Sequence, residues 1–308
     1  MGEKNNCFVV AVSGGVDSCV LLHMLKSKSE LLPPSLIKNT KIVVAHVDHG
    51  IRENSKRDRL FVEKLAKEYG FEFEYTDLSL GKDASENQAR TKRYEFLEKV
   101  MKKHHAIGII TAHHGDDVLE TAAINIIRGT GRKGLSSLKS SDLRIRPLLK
   151  LSKKQILDYA KEFGIKWNED ETNSEMKYLR NRIRRAFSSV ESEKKEEFSD
   201  HLQKIAETNQ YIDSQIMTLL RYRLKGKAVL SRSWFVKLDH TLAGEFMAAF
   251  LRLAKVQDID SKLIERLVVS LKASKPGTKI DVDKNHVGLI TKRSLRLVYR
   301  ENLKTLSV

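Results

Sequence analysis

A short glycine-rich segment, Ser13 to Ser18 with the sequence SGGVDS, follows an apolar run and opens a segment with helical spacing. Glycines at a strand-to-helix turn let the backbone approach an anion, and the N–H groups and dipole of the helix start favour negative charge. The hydroxyl groups of Ser13 and Ser18 add donors for phosphate oxygens. The segment predicts a phosphate-binding loop, and an ordinary glycine turn is the alternative.

The carboxylate of Asp17 needs its own explanation, because two anions repel each other. A carboxylate at this position suits a Mg²⁺ ion that accompanies a nucleotide, or a reacting cation. The segment is not a Walker A loop, because no Lys follows the glycines, and it lacks the third Gly of the dinucleotide fingerprint. The pattern therefore indicates phosphate chemistry of another kind.

A second polar cluster, His113-His114-Gly115-Asp116-Asp117, follows a later apolar run. If the helix begins at the cluster, the i, i+3, i+4 spacing lets His113 share a face with Asp116 and Asp117. Such a cluster suits binding of Mg²⁺ with ATP, orientation of an ammonium group, or acceptance of a proton. The alternative is a helix N-cap made by Asp116 beside a structural His113. A zinc site is disfavoured, because no cysteine accompanies the carboxylates.

Paired arginines indicate contacts to an anion, since a guanidinium group binds phosphate or carboxylate through two donors. Three such pairs occur: Arg90 with Arg93, Arg128 with Arg132, and Arg180 with Arg184. Near the last pair, Asn173 and Tyr178 are suited to hydrogen-bond to or stack on an extruded base. A solvated surface, or a surface helix paired with Glu residues, is the alternative.

Alternating apolar runs and helical segments must position these clusters. Apolar runs predict strands at 8–13, 41–47, 71–78 and 106–113, and helical spacing predicts helices at 18–26, 53–69, 86–103 and 116–128. Three of the runs are nearly continuous Val, Ile and Ala, which suits parallel strands covered on both faces. The pattern predicts an α/β domain with a doubly wound, mostly parallel sheet, which binds ligands at the carboxyl ends of its strands.

The domain organisation follows from a change in composition at residues 188–200, where Ser, Glu and Lys dominate. We expect a catalytic domain at 1–188, a linker helix region at 189–225 and a smaller helical and α+β domain at 226–308. After the sheet, helices are predicted at 152–163, 201–223, 240–255 and 261–271, followed by a small β meander near 277–300.

Composition narrows the function classes. The 308 residues carry 56 Lys and Arg against 40 Asp and Glu, a net charge of +16, which suits either a polyanionic partner or a solvated Lys-rich surface. Cys7 and Cys19 form no C-x-x-C motif, which excludes a zinc ribbon and fits a reducing compartment. Without a signal sequence or an apolar stretch of roughly 20 residues, we expect a cytoplasmic protein that does not enter membranes.

The SGGVDS segment resembles the pyrophosphatase loop of the N-type ATP pyrophosphatase superfamily, whose members cleave ATP to AMP and pyrophosphate while adenylating a carbonyl oxygen. Together with the motifs at 45–52, 88–94, 111–121, 128–135, 146–149 and 170–184, it resembles the tRNA(Ile)-lysidine synthetases from about Phe8 to Arg185. The resemblance implies the substrates ATP, L-lysine and tRNA(Ile) with a CAU anticodon, together with Mg²⁺. It implies adenylation of C2 of the wobble cytidine, after which the ε-amine of lysine displaces AMP.

The resemblance also implies roles for individual residues. It implies catalytic roles for Asp17, His113 and Asp117, with Asp17 also a Mg²⁺ ligand. The residues implied to bind ATP are Ser13, Gly14, Gly15, Val16, Asp17, Ser18, His46 and Arg93, although a buried, structural His46 is nearly as well supported. The residues implied to contact tRNA or lysine are Asp116, Arg128, Arg132, Asn173, Arg180 and Arg184.

The second half of the chain carries no catalytic motif, and the resemblance implies that it binds tRNA. A homodimer is left open. Two other functions compete with lysidine synthesis. The first is thiolation of a tRNA base, which Cys7 in the first predicted strand and Cys19 in the first predicted helix disfavour, because sulfur transfer through a persulfide or an iron-sulfur cluster needs well-placed cysteines. The second is a basic RNA-binding protein without catalysis, which the intact polar clusters disfavour.

Overall fold

The computed structural model describes residues 6–48, 55–78, 86–168, 179–224 and 228–304. The chain divides into two compact units, residues 1–206 and 207–308. The division falls inside one helix, and the polar segment at 188–200 belongs largely to that helix, which begins at Ser192. The functional domain bounds predicted from the sequence stay a prediction.

The first unit contains a parallel sheet of five strands with the order β3-β2-β1-β4-β5. The strands are β1 (Asn6–Ala11), β2 (Thr40–Asp48), β3 (Glu72–Asp77), β4 (Gly108–Ile110) and β5 (Arg144–Ile145). The four predicted strands are confirmed, and β5 is an addition that the sequence pattern did not indicate.

Helices cover the sheet. They are α1 (Val16–Ser27), α2 (Ser55–Tyr69), α3 (Glu86–Lys103), α4 (Gly115–Ile127), α5 (Arg132–Leu135), α6 (Lys153–Glu162) and α7 (Leu179–Ser188). Alternate residues of β1 enter different cores: Phe8 and Val10 pack with residues of α1, α2 and α6, whereas Cys7 and Val9 pack with residues of α3. Both faces of the sheet are therefore buried, which explains the continuous apolar runs and confirms the doubly wound architecture.

The strand order creates the site. From β1 the chain adds β2 and β3 on one side and then returns to place β4 on the other side of β1. Connections that leave β1 and β4 in opposite directions open a crevice at the carboxyl ends of these two strands. The loop at 13–18 follows β1 and the cluster at 113–117 follows β4, so the topology brings the two predicted motifs to one edge.

The second unit combines helices with an antiparallel sheet of order β6-β9-β8-β7. Its elements are the later part of α8 (Ser192–Leu224), β6 (Val229–Ser231), α9 (Arg232–Phe235), α10 (His240–Leu253), α11 (Ser261–Ala273), β7 (Lys279–Asp281), β8 (His286–Ile290) and β9 (Ser294–Tyr299). Its core contains the fully buried Leu220, Phe235 and Phe250. The predicted helices and meander are confirmed. Across the described ranges, no helix has the length and apolarity needed to span a membrane.

Candidate active site

The loop between β1 and α1 is organised by the buried side chain of Ser18. Its Oγ accepts hydrogen bonds from the N–H groups of Ser13 and Gly14, both at 3.3 Å, and donates to the Gly15 carbonyl at 2.9 Å. Gly14 has a φ of +98°, a left-handed conformation that only glycine adopts without strain. The loop backbone is therefore curved around Ser18, while Val16 points into the core. Phosphate contacts by these residues stay a prediction.

Two buried side chains, His46 and Cys19, contact the backbone of this loop and of the residue before it. His46 places Nδ1 2.8 Å from the Val12 carbonyl, and burial lowers its pKa. The Cys19 thiol donates to the Gly14 carbonyl at 3.3 Å, and burial raises its pKa to about 12. His46 thus contacts the backbone that enters the loop, as the structural interpretation expects, and its predicted contact with ATP stays untested.

His114 lies at the centre of the crevice among three carboxylates. Its Nε2 is 3.6 Å from Asp117 Oδ2 and 3.9 Å from Asp17 Oδ2, and its Nδ1 is 3.7 Å from Asp116 Oδ2. Burial lowers the pKa of His114, but its interactions with Asp116, Asp117 and Asp17 outweigh burial and raise it. The ring of His114 therefore lies between carboxylates from two different elements, and these carboxylates favour its protonated form. The sequence motif includes His114, but the pattern alone does not predict this role.

The start of α4 explains why His114 rather than His113 meets these carboxylates. The helix begins at Gly115, so His113 precedes it, and the i, i+3, i+4 argument does not apply to His113. Instead, Asp117 Oδ2 accepts a hydrogen bond from the backbone N–H of His114 at 3.0 Å, as an N3 carboxylate of a helix does. The N-cap is His114, so the alternative of an Asp116 cap is wrong as well.

His113 has the opposite electrostatic environment. Its Nδ1 lies 2.8 Å from Thr111 Oγ1. Burial lowers its pKa to about 4, Asp117 opposes the shift, and the charges of Arg146, Arg93 and Arg90 add to it. His113 is therefore neutral at pH 7 and has a ring nitrogen lone pair available, in contrast to its neighbour.

Three guanidinium groups surround the ring of Tyr94, a buried residue of α3. The distances from the guanidinium carbon to the ring centroid are 4.3 Å for Arg144, 5.4 Å for Arg90 and 5.7 Å for Arg93. These charges concentrate positive potential on the same flank of the crevice as His113. The arrangement supports an anion-binding role for Arg93 without identifying the anion.

Glu120 is a site residue that the sequence reasoning missed. Its side chain is 3% exposed and accepts two hydrogen bonds from Arg184, from Nε at 2.7 Å and from Nη2 at 3.1 Å. Arg180 Nε lies 3.5 Å from the same carboxylate, and Arg184 Nη2 lies 3.7 Å from Asp117 Oδ1. Glu120 follows Asp116 by four residues and Asp117 by three, a helical spacing that carried the missing signal.

Lys153, the first residue of α6, connects two of the carboxylates. Its Nζ lies 2.5 Å from Asp17 Oδ1, and its backbone N–H donates to Asp116 Oδ2 at 2.6 Å. The interaction with His114 lowers the pKa of Asp116 to about 2, burial opposes the shift, and the Lys153 N–H adds to it. Lys153 was not among the predicted site residues.

The remaining predicted residues lie further out. Arg128 is exposed at the carboxyl end of α4, and Arg132 opens α5. Asn125 holds the turn between these helices, because its Nδ2 donates to the Gly134 carbonyl at 2.7 Å and to Ser137 Oγ at 3.0 Å. Asn173 and Tyr178 lie outside the described residues. Among the residues that are described, no three His, Cys, Asp or Glu side chains are grouped to hold a metal ion.

Comparison with known proteins shows the family of this chain. Residues 2–191 match the family described as the PP-loop domain, and the chain belongs to that family. The predicted superfamily is thereby confirmed. The chain is 42% identical over 191 residues to a tRNA(Ile)-lysidine synthase from Thermotoga sp. (strain RQ2), which covers 60% of this chain and 45% of the relative.

A second similarity extends over nearly the whole chain. The chain is 29% identical over 305 residues to the bifunctional protein TilS/HprT of Listeria innocua, covering 92% of this chain and 46% of the relative. The chain thus spans about half the length of these curated relatives. Among solved structures, the U34-tRNA thiolase NcsA from Methanococcus maripaludis matches with a TM-score of 0.53 and 19% identity, covering 67% of this chain and 74% of that one. This likeness supports the fold alone.

Proposed function

We propose that the protein is an ATP-dependent tRNA(Ile)-lysidine synthetase. In this reaction the C2 carbonyl oxygen of the wobble cytidine attacks the α-phosphorus of ATP and pyrophosphate leaves. The ε-amine of lysine then attacks C2 and AMP leaves. One observation carries the proposal: the Asp17, Asp116 and Asp117 carboxylates converge on His114 beside the SGGVDS loop. The relatives named tRNA(Ile)-lysidine synthase support the choice of substrate.

The loop and Asp17 are proposed to receive the nucleotide. The N–H groups at the start of α1 and the helix dipole favour the phosphates. Mg²⁺ in nucleotide sites is commonly held by one or two carboxylates, by water and by phosphate oxygens, so it needs no cage made by the protein alone. Asp17, a hard oxygen donor with 31% of its side chain exposed, fits this partial coordination. When bound, Mg²⁺ neutralises phosphate charge, and Arg93 supplies further positive potential.

The second step needs a place for an ammonium group and an acceptor for its protons. The carboxylates of Asp116 and Asp117 are suited to hold the ε-ammonium of lysine, and Glu120 fixes the nearby Arg184. His113 is neutral at pH 7 and is the proposed proton acceptor. Because a pKa of about 4 makes it a weak base, it is suited to take the proton only after the amine has bonded to C2 and become strongly acidic. The carboxylates favour the protonated form of His114, and in that form it limits the repulsion between them.

The basic residues are proposed to bind tRNA. Arg128 and Arg132 lie at the glycine-containing turn after α4, and residues 207–308 contain 19 Lys and Arg against 10 Asp and Glu. Counterion release from phosphates makes such a surface favourable for RNA. Base thiolation is less well supported, because both cysteines of the chain are buried and the pKa of each thiol is raised.

The test follows AMP and labelled lysine together, with purified protein, ATP, Mg²⁺ and a tRNA(Ile) transcript that carries CAU. We expect lysine to enter this transcript with stoichiometric AMP and not to enter a transcript with U34. Asp17→Asn is expected to reduce AMP formation by roughly a factor of 100 or more, because it removes a charge at the reacting phosphate.

The matched control is Asp158→Asn, which changes an exposed carboxylate of α6. AMP formation without lysine transfer would contradict lysidine synthesis. Transfer of sulfur from an added donor would instead favour thiolation, and tRNA binding without ATP turnover would favour a non-catalytic RNA-binding protein.

A further inference from the structure

We propose that Lys153 is a further catalytic residue, whose ammonium group binds the phosphate oxygens of ATP and stabilises pyrophosphate as it leaves. This inference rests on the proposed use of ATP. Its starting point is that the SGGVDS loop itself contains no cationic side chain for the phosphates. The donors that the SGGVDS segment offers are neutral N–H and O–H groups, and its one charged residue, Asp17, is an anion. In Walker A loops a Lys of the loop reaches the β- and γ-phosphates.

The Lys153 ammonium group lies beside this loop and supplies the cation that the loop lacks. Asp17 is the second residue of α1, at the helix end where N–H groups point outward, and Lys153 Nζ lies 2.5 Å from its Oδ1. A cation from α6 is therefore held next to the predicted phosphate site, although 136 residues separate it from Asp17 in the chain. Its side chain is 39% exposed, so it borders open space.

The backbone of Lys153 is fixed while its side chain keeps its torsional freedom. The N–H of Lys153 donates to Asp116 Oδ2 at 2.6 Å. Ser152 and Gln155 form a reciprocal cap at the start of α6, with distances of 2.8 and 3.2 Å. The Leu151 carbonyl accepts from the Gly115 N–H at 2.8 Å, which ties this segment to α4. Lys153 can therefore exchange Asp17 for a phosphate oxygen by rotating its side chain alone.

The chemistry of the first step favours such a cation in addition to Mg²⁺. A bond forms between the cytidine oxygen and the α-phosphorus, and the bond from that phosphorus to the bridging oxygen breaks. The bridging oxygen leaves with the electron pair, so negative charge grows on pyrophosphate. A positioned ammonium group stabilises that charge more than it stabilises bound ATP. Without nucleotide, Asp17 holds the same ammonium group.

The experiment compares Lys153→Met with Lys154→Met, which removes the neighbouring exposed lysine of α6. Affinities for Mg²⁺-ATP and Mg²⁺-pyrophosphate are measured by calorimetry, and AMP formation by single turnover. Lys153→Met should weaken pyrophosphate binding by about tenfold and slow AMP formation by roughly 100-fold or more, and Lys153→Arg should restore part of the binding. Lys154→Met should change neither value.

A second measurement does not depend on the stability of the Met variant. Lysines of the wild-type protein are labelled by reductive ¹³C-methylation, and the Lys153 resonance is assigned by its loss in Lys153→Arg. Mg²⁺-pyrophosphate should shift the Lys153 resonance and leave that of Lys154 in place. An unshifted Lys153 resonance, or unchanged pyrophosphate affinity in a folded Lys153→Met protein, would overturn the assignment. Failure of lysine transfer would overturn only the proposed function, because the pyrophosphate measurements do not involve lysine or tRNA.

Discussion

Each unit contains a buried histidine beside one or more carboxylates, but the two arrangements differ in how far apart the partners lie in the sequence. In the second unit, His286 Nδ1 lies 3.0 Å from both oxygens of Asp283, three residues earlier. In the first unit, His114 meets Asp17, which is almost a hundred residues away, together with two residues of its own segment. The comparison separates a histidine that shapes a turn from one that assembles a site.

In the second unit, the role of the Asp283 carboxylate is structural. It accepts hydrogen bonds from the N–H groups of Asn285 at 2.7 Å, in the turn after β7, of His286 at 2.6 Å, at the start of β8, and of Gln257 at 3.0 Å. Burial raises its pKa, but the hydrogen bonds from Gln257, His286 and Asn285 outweigh burial and hold it at about 2. The donors Asn285 and His286 form the hairpin, and Gln257 connects it to the segment after α10. In the first unit the carboxylates around His114 instead keep part of their side chains exposed, 31% for Asp17, 24% for Asp116 and 13% for Asp117.

The largest expected effect tests whether the first unit depends on its long-range charge pairs. Glu120→Gln removes the buried charge that holds Arg184 and Arg180, and we expect a loss of about 3 kcal/mol in the free energy of unfolding. Denaturant unfolding measures the loss, and hydrogen exchange should locate it in α4 and α7. Glu95→Gln, which breaks an exposed pair with Lys92, is the control and should cost less than about 0.5 kcal/mol. Equal losses would remove the distinction between buried and exposed pairs.

A smaller effect is expected from pH, because the two adjacent histidines of the first unit shift in opposite directions. His113 has a pKa of about 4 in the folded protein, below its ordinary value, so the unfolded chain binds the proton first. Stability should therefore be lost as the pH falls from about 6.5 to 4, by at most about 3 kcal/mol, and His113→Gln should remove that loss.

The matched variant is His114→Gln, since the pKa of His114 is raised. Its contribution is complete below the ordinary pKa and is lost as the pH rises through the folded value. Unfolding curves across pH 4 to 8 distinguish the two, and a parallel response of both variants would contradict the assignment of charges in the crevice.

The smallest expected effect concerns the surface charge of the second unit. Lys292→Gln with Arg296→Gln removes two exposed cations near the turn between β8 and β9, and we expect tRNA affinity to fall several-fold. The slope of log affinity against log salt should fall by about 1 for each phosphate that the variant no longer neutralises. Mg²⁺-ATP affinity should not change.

Lys64→Gln with Lys161→Gln removes the same charge from exposed positions of the first unit. This pair of substitutions should leave the salt slope unchanged. If both double variants reduce the slope equally, net charge rather than the second unit binds the tRNA.

The sequence predicted those parts of the molecule that depend on local pattern. The apolar runs indicated β1 to β4, and the SGGVDS and HHGDD motifs indicated the two segments that meet at the edge of the sheet. The parallel topology then brings the two segments together, because the carboxyl ends of parallel strands lie at the same edge of the sheet. The short β5 and β6 were not predicted, since two or three residues carry too little periodicity.

Contacts between distant residues account for what was missed in the site. Nothing in the segment around Lys153 indicates that its ammonium reaches Asp17, because the helix that carries it is placed by packing of the whole sheet. Glu120 has a helical spacing from Asp116 and Asp117 that the sequence shows. Its role in the site, however, depends on a hydrogen bond from Arg184, which lies on another helix. The role of His114 depended on where α4 begins, because the helix starts at Gly115, two residues after His113.

The Cys19 thiol beneath the loop has a practical consequence for the chemistry of the protein. Because it stays protonated and buried against the Gly14 carbonyl, it is a poor nucleophile at neutral pH. Cys7 is buried as well, and burial raises its pKa. Maleimides and mild oxidants should therefore leave the native fold unmodified, so a single cysteine introduced on the surface of either unit can carry a fluorophore or spin label without replacement of the native thiols.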